Sequence, residues 1–186
     1  VGRNKRSVVI DLRTADGQAL VRRLAGKADV LIENFRPGTL EGWGLDPAVL
    51  RAAHPALIVC RVSGYGQTGP YADRPGFASV CEAVAGMRSV IGTDAGERVR
   101  PNLSLGDSLA GLHAAFGILA ALYARDAGQR PGQVVDVAIT EAVLAMLEGM
   151  VPEAARGVVR QPSGNTITGV APTGTWATAD GREVVI

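Results

Sequence analysis

Residues Leu57-Ile58-Val59-Cys60-Arg61-Val62-Ser63-Gly64-Tyr65-Gly66-Gln67-Thr68-Gly69-Pro70 decide the fold. Leu57–Val62 reads as a strand that empties into a glycine-rich loop. Toward the N-terminus, Asp46–His54 reads as a helix, with Asp46 as its N-cap and Pro47 at its first position. Val30-Leu31-Ile32 is a second short strand, closed by the turn Asn34-Phe35-Arg36-Pro37-Gly38. Thr14–Ala28 predicts an amphipathic helix, with Leu20, Val21, Leu24 and Ala28 on one stripe and Arg22, Arg23 and Lys27 facing water. Ser7–Leu12 completes the series as a further strand. Strands and helices alternating over short connections predict an α/β fold: a parallel sheet with flanking helices.

Toward the C-terminus the pattern becomes more helical. Phe77–Ile91 reads as a helix, followed by a polar turn through Thr93–Glu97. Asp107 opens a long helix to about Ala127, apolar on nearly every face and therefore expected to be buried. Gln133–Ala138 reads as a strand and Ile139–Met150 as another buried helix, packed with the helix after Asp107. Pro152 to Gly174 is rich in Gly, Pro, Ser and Thr and reads as a connector, and Val184-Val185-Ile186 as the start of another strand. The predicted division is an α/β domain over 1–151, then a connector and the start of a smaller domain over 152–186. Both ends read as internal to a longer chain.

Composition narrows the function classes. With 47% hydrophobic and 20% charged residues over 186 positions, the chain has enough apolar surface to fold. Nineteen basic against eighteen acidic residues leave a net charge of +1, which gives no support to a nucleic-acid surface. The two cysteines, Cys60 and Cys81, lie in apolar runs and read as core residues of a reducing, cytoplasmic protein. The longest apolar run, Leu109–Ala124, is short for a membrane span, so no membrane partner is expected. A small-molecule substrate is the remaining expectation.

Most familiar site patterns fail. His54 and His113 are the only histidines, and neither neighbours Cys or a carboxylate at ligand spacing, so no metal site is predicted. Ser63 lacks the flanking glycines of a nucleophile elbow. Gly64-x-Gly66-x-x-Gly69 has dinucleotide-loop spacing, but Pro70 blocks the helix that should follow. Asp107, in Leu105-Gly106-Asp107-Ser108-Leu109-Ala110-Gly111, is the informative position. An aspartate there is an ordinary N-cap. Two glycines beside it also leave room for a ligand, and the helix N-terminus favours an ionised carboxylate. Such a carboxylate can attack an activated acyl group.

Four segments together carry a resemblance: Asn4-Lys5-Arg6-Ser7-Val8-Val9-Ile10-Asp11-Leu12, Val30-Leu31-Ile32-Glu33-Asn34-Phe35-Arg36-Pro37-Gly38, Ser63 to Tyr71, and Gly106-Asp107-Ser108. In this order and spacing, the chain resembles the family III CoA-transferases, the CaiB/BaiF family. The resemblance implies the Rossmann-like large domain of that family, truncated at both ends, and a homodimer whose chains interlock. It implies Asp107 as the catalytic nucleophile, working through aspartyl anhydrides and an aspartyl-CoA thioester. It implies Ile10, Asp11, Leu12 and Arg13, together with Asn34, Phe35 and Arg36, as the contacts of the nucleotide end of CoA. Physically, Phe35 offers an apolar face, while Arg13 and Arg36 offer charge for phosphates. CoA and acyl-CoA are then substrates, with a carboxylic acid as acceptor, and no tightly bound cofactor is expected.

Departures from the family pattern matter too. Relatives place an acidic residue, or a His-Asp pair in the α-methylacyl-CoA racemases, where this chain has Gly76-Phe77-Ala78. Phe77 and Ala78 can neither give nor take a proton, which weighs against formyl or oxalyl specificity and against racemisation. Racemase chemistry and a non-catalytic remnant remain the alternatives.

Overall fold

The computed structural model describes residues 2–186. Thr14 caps the first helix, α1 (Ala15–Ala25): its Oγ1 accepts the Gly17 N–H at 3.1 Å and donates to the Asp11 carbonyl at 2.8 Å. Strand β1 (Val30–Glu33) leads through the short α2 (Thr39–Gly42) and through α3 (Pro47–Ala53) to β2 (Ile58–Ser63). As the sequence predicts, Asp46 caps α3, accepting the Ala48 N–H at 2.7 Å. The two strands run parallel, Val30 opposite Ile58 through Glu33 opposite Arg61. Leu40, Leu45, Leu50, Leu57 and Val59 form the buried cluster between sheet and helices, with Leu12, Leu31 and Trp43 against its edge. Each of those side chains contributes about 1.5–3 kcal/mol by leaving water.

Beyond β2 come α4 (Ala78–Val84), α5 (Met87–Val90) and the long α6 (Leu105–Asp126). Strand β3 (Val134–Ala138) follows and runs directly into α7 (Ile139–Leu144). The short α8 (Met150–Ala154) and a hairpin of β4 (Thr175–Ala177) and β5 (Glu183–Val185) complete the order. The main sheet is parallel, with strand order β1-β2-β3.

Two compact units result. One comprises the chain up to Pro75 and Leu112–Val137, and holds the sheet. The other comprises Gly76–Gly111 and Ala138–Ile186. Within the second, α7 packs on α4, and Ile139 lies against Gly106 in the first turn of α6.

The structure corrects four expectations. Ser7–Leu12 is not a strand; the third strand is β3. A strand needs a partner for its N–H and C=O groups, no described strand runs beside Ser7–Leu12, and Val9 is 97% exposed. The helix predicted over Phe77–Ile91 breaks into α4 and α5, because Gly86 adopts φ +99°, a left-handed conformation incompatible with a continuous helix. The helix predicted over Ile139–Met150 stops at Leu144, and Glu148 turns the chain with φ 54°.

Finally, α6 is buried on one side only. Ala110, Ala114 and Ala121 are covered, whereas Leu112, Phe116, Leu119 and Tyr123 form an exposed stripe at helical spacing. At 22 residues its length and apolar composition also suit a membrane span, which the shorter sequence run did not anticipate.

Candidate active site

Segment 10–13 is seated on the start of α1. The Asp11 carbonyl accepts the Thr14 N–H at 3.2 Å. It also lies where a side chain at position 17 would be, since a Cβ there would come within 2.0 Å of that oxygen; only glycine fits. Leu12 packs on the core and Ile10 is partly buried. Asp11 and Arg13 point outward and form a two-pronged pair, Nε to Oδ1 and Nη2 to Oδ2, both 2.9 Å. The Arg13 guanidinium holds the Asp11 carboxyl below its usual range, and Asp11 raises Arg13. An anion bound here would meet an arginine already engaged.

The turn after β1 rests on a buried network that sequence reading missed. Glu33, the last residue of β1, accepts the Phe35 N–H at 2.7 Å through one oxygen and the Arg61 Nε at 2.6 Å through the other. Arg61, opposite Glu33 in β2, also reaches Glu41 in α2 at 2.7 and 3.3 Å. Burial alone would lower the Arg61 pKa, but its bonds to Glu41 and Glu33 raise it overall. Phe35 packs edge-on against Trp43, centroids 5.1 Å apart. Held this way, the turn presents Asn34, Phe35 and Arg36 to solvent. A charge inside the apolar run Ile58-Val59-Cys60-Arg61-Val62 was the available signal: a buried cation needs carboxylate partners.

In the second unit, α6 starts at Leu105, two residues earlier than expected. Asp107 is therefore the third helical residue rather than the cap, and its side chain is exposed. The amide before it is satisfied from outside the helix: the Gly106 N–H donates to Glu82 Oε1 at 3.1 Å. Glu82, on α4, has no exposed surface. It too was missed, although it is a lone charge in the apolar run Val80-Cys81-Glu82-Ala83-Val84. Its neighbour Cys81 is a buried thiol outside any disulfide; burial pushes it up, a hydrogen bond with Thr140 pulls it back in part, and Asp107 and Glu82 raise it further. Phe77 is exposed at the mouth of α4 and supplies no titratable group. Among the described residues, no three His, Cys, Asp or Glu side chains gather to hold a metal.

The sequence model of CoA-transferase family III matches residues 1–186. The chain belongs to that family. This family III chain is 51% identical to succinyl-CoA–D-citramalate CoA-transferase of Chloroflexus aurantiacus over 188 residues, which cover all of this chain and 46% of that protein. It is 45% identical to the succinyl-CoA–L-malate CoA-transferase alpha subunit of Chloroflexus aurantiacus, covering 99% of this chain and 43% of the relative. Among solved structures, a CaiB/BaiF family protein from Brucella suis superposes with a TM-score of 0.85 at 35% identity, covering 95% of this chain and 47% of that one. The chain spans about half the length of the relatives it matches. The four motifs were enough to recognise the family; the buried charges around them were not legible.

Proposed function

We propose that this chain supplies the nucleophile and the nucleotide contacts of an enzyme that transfers CoA from an acyl-CoA to a free carboxylic acid. Asp107 attacks the donor thioester carbonyl, giving a mixed anhydride and CoA thiolate. The thiolate then attacks the aspartyl carbonyl, which releases the donor acid and leaves an aspartyl-CoA thioester. The acceptor carboxylate displaces CoA to form a second anhydride. CoA thiolate attacks its acyl carbon, and the new acyl-CoA leaves with Asp107 restored. The observation that carries this reading is the exposed Asp107 in the first turn of a 22-residue helix, whose N-terminal dipole favours the carboxylate and each oxyanion formed beside it.

Ile10, Asp11, Leu12, Arg13, Asn34, Phe35 and Arg36 contact the nucleotide end of CoA in this proposal. The named relatives point to succinyl-CoA as donor and a hydroxylated four- or five-carbon dicarboxylate as acceptor. The enzyme would work as a cytoplasmic homodimer, with 152–186 leading into a smaller domain. Racemisation is disfavoured because Phe77 and Ala78 have no titratable group to give or take a proton.

Asp107→Asn in the intact protein tests the proposal. Because Asp107 is not the cap, the fold is expected to survive, while transfer from succinyl-CoA to L-malate or D-citramalate falls about a thousandfold or more. Hydroxylamine added with succinyl-CoA should modify the wild-type Asp107, detected by peptide mass spectrometry. A fully active Asp107→Asn variant overturns the mechanism.

A further inference from the structure

Glu82 is a carboxylate with no exposed surface, set among apolar neighbours of α4. Its Oε1 accepts the Gly106 N–H at 3.1 Å, while Oε2 has no hydrogen-bond partner. Arg88 Nη1, across the break at Gly86, stands 3.8 Å from Oε2 and is equally without a hydrogen bond. A buried charge satisfied so thinly is costly, and an apolar side chain would pack here at less cost. The one good bond it makes is to the residue directly before Asp107.

That bond has a mechanical consequence. The first four N–H groups of a helix lack acceptors within it, and a flanking side chain normally supplies one. For α6 the acceptor comes from a different helix, so the bond fixes the rotation of its first turn relative to α4. Gly106 is gripped on several sides: a Cβ there would touch Glu82 Cγ and the Ala78 carbonyl at 3.4 Å and Ile139 at 3.3 Å. A helical side chain ends about 5–6 Å from the helix axis, so a 10° rotation of that turn moves a carboxylate by about 1 Å. A displacement of that size can cost about a hundredfold in rate.

We propose that Glu82 is the positioning residue of Asp107: its carboxylate holds the Gly106 amide and so aims the nucleophile before acyl-CoA arrives. This rests on Asp107 being the nucleophile. Glu82 itself touches no substrate.

The experiment uses the intact protein with succinyl-CoA and L-malate or D-citramalate. Glu82→Met keeps the volume and removes the acceptor; Glu82→Gln keeps an oxygen that can take the Gly106 N–H. Glu82→Met should lower kcat about a hundredfold with KM for succinyl-CoA within about threefold, and Glu82→Gln should recover at least about tenfold of that loss. Amide exchange at Gly106 should be at least about tenfold faster in the Met variant alone. Leu50→Ala, a core truncation in the other unit, controls for general destabilisation and should keep kcat per folded molecule. Wild-type kcat in Glu82→Met, a Gln variant as impaired as Met, or an equal loss in Leu50→Ala overturns the assignment. Should Glu82→Met fail to fold, wild-type exchange decides: a protected Gly106 amide supports the bond, and one exchanging at the free-peptide rate overturns it. An active Asp107→Asn variant would remove the reading of the site and this assignment with it; an inactive one beside a fully active Glu82→Met variant removes this assignment alone.

Discussion

Two buried glutamates lie beneath exposed segments of this chain, one in each unit, and each accepts a single backbone N–H from the segment above. Glu33 takes the Phe35 amide under the Asn34–Arg36 turn; Glu82 takes the Gly106 amide beside Asp107. Their remaining partners differ sharply. Glu33 is bonded to Arg61 at 2.6 Å, and Arg61 is shared with Glu41. Glu82 faces Arg88 at 3.8 Å, beyond hydrogen-bond reach, with one oxygen unpaired. Charge-assisted bonds gain most of their strength near 2.7–2.9 Å, so the first network is locked and the second is held by one bond. In the proposed reading, the Asn34–Arg36 turn meets the unchanging end of CoA and benefits from rigidity. In the same reading, Asp107 depends for its aim on the one bond between Gly106 and Glu82.

The contrast can be broken most directly by removing each cation. Arg61→Ala leaves Glu33 buried without its charge partner, and should destabilise the fold by about 3–5 kcal/mol in urea unfolding. Arg88→Ala removes a more distant, partly exposed partner and should cost about 1 kcal/mol or less. Equal losses would show that both networks are locked alike.

The next effect is on binding rather than folding. Arg36→Ala should weaken CoA affinity by about 1–3 kcal/mol in calorimetry with an unchanged melting temperature, if the turn is a preformed platform for phosphate. A fall in melting temperature instead would make Arg36 part of the scaffold.

The smallest effect is on acid stability. Hydrogen bonds from Arg61 hold the Glu41 carboxyl below the usual glutamate value of 4.5. A depressed pKa stabilises the fold above the unfolded value, and that contribution is lost as pH falls through the folded one. Melting temperature should therefore drop below about pH 4.5, and the drop should be shallower in Glu41→Gln. Identical curves for the two proteins would detach Glu41 from the network.

What was legible follows from what each signal depends on. Val30–Ile32 and Leu57–Val62 were readable because apolar runs bounded by turns need only local information, and Asp46-Pro47 announced α3 for the same reason. Ser7–Leu12 has the same local look, but a strand also needs a neighbour, which no local pattern contains. Position 86 was a visible glycine inside an apolar stretch, yet only its left-handed φ decides that the helix ends there. Asp107, Asn34, Phe35 and Arg36 were singled out through family motifs, and all four lie exposed. Glu33, Glu41, Arg61 and Glu82 escaped because a charge in an apolar run looks like noise until tertiary structure pairs it. The apolar count of α6 predicted burial, but which face is covered depends on what packs there.

The sheet also sets a timetable. Its last strand, β3, pairs with β2 only after the whole of α4, α5 and α6 has been made, about 70 residues after Ser63. At synthesis rates of about 5–20 residues per second, that is roughly 4–14 s during which β2 waits on the ribosome with one edge unpaired. An open edge of Ile58-Val59-Cys60 is a template for pairing with any other nascent chain. The protein thus depends, while it is being born, on whatever keeps that edge from its neighbours.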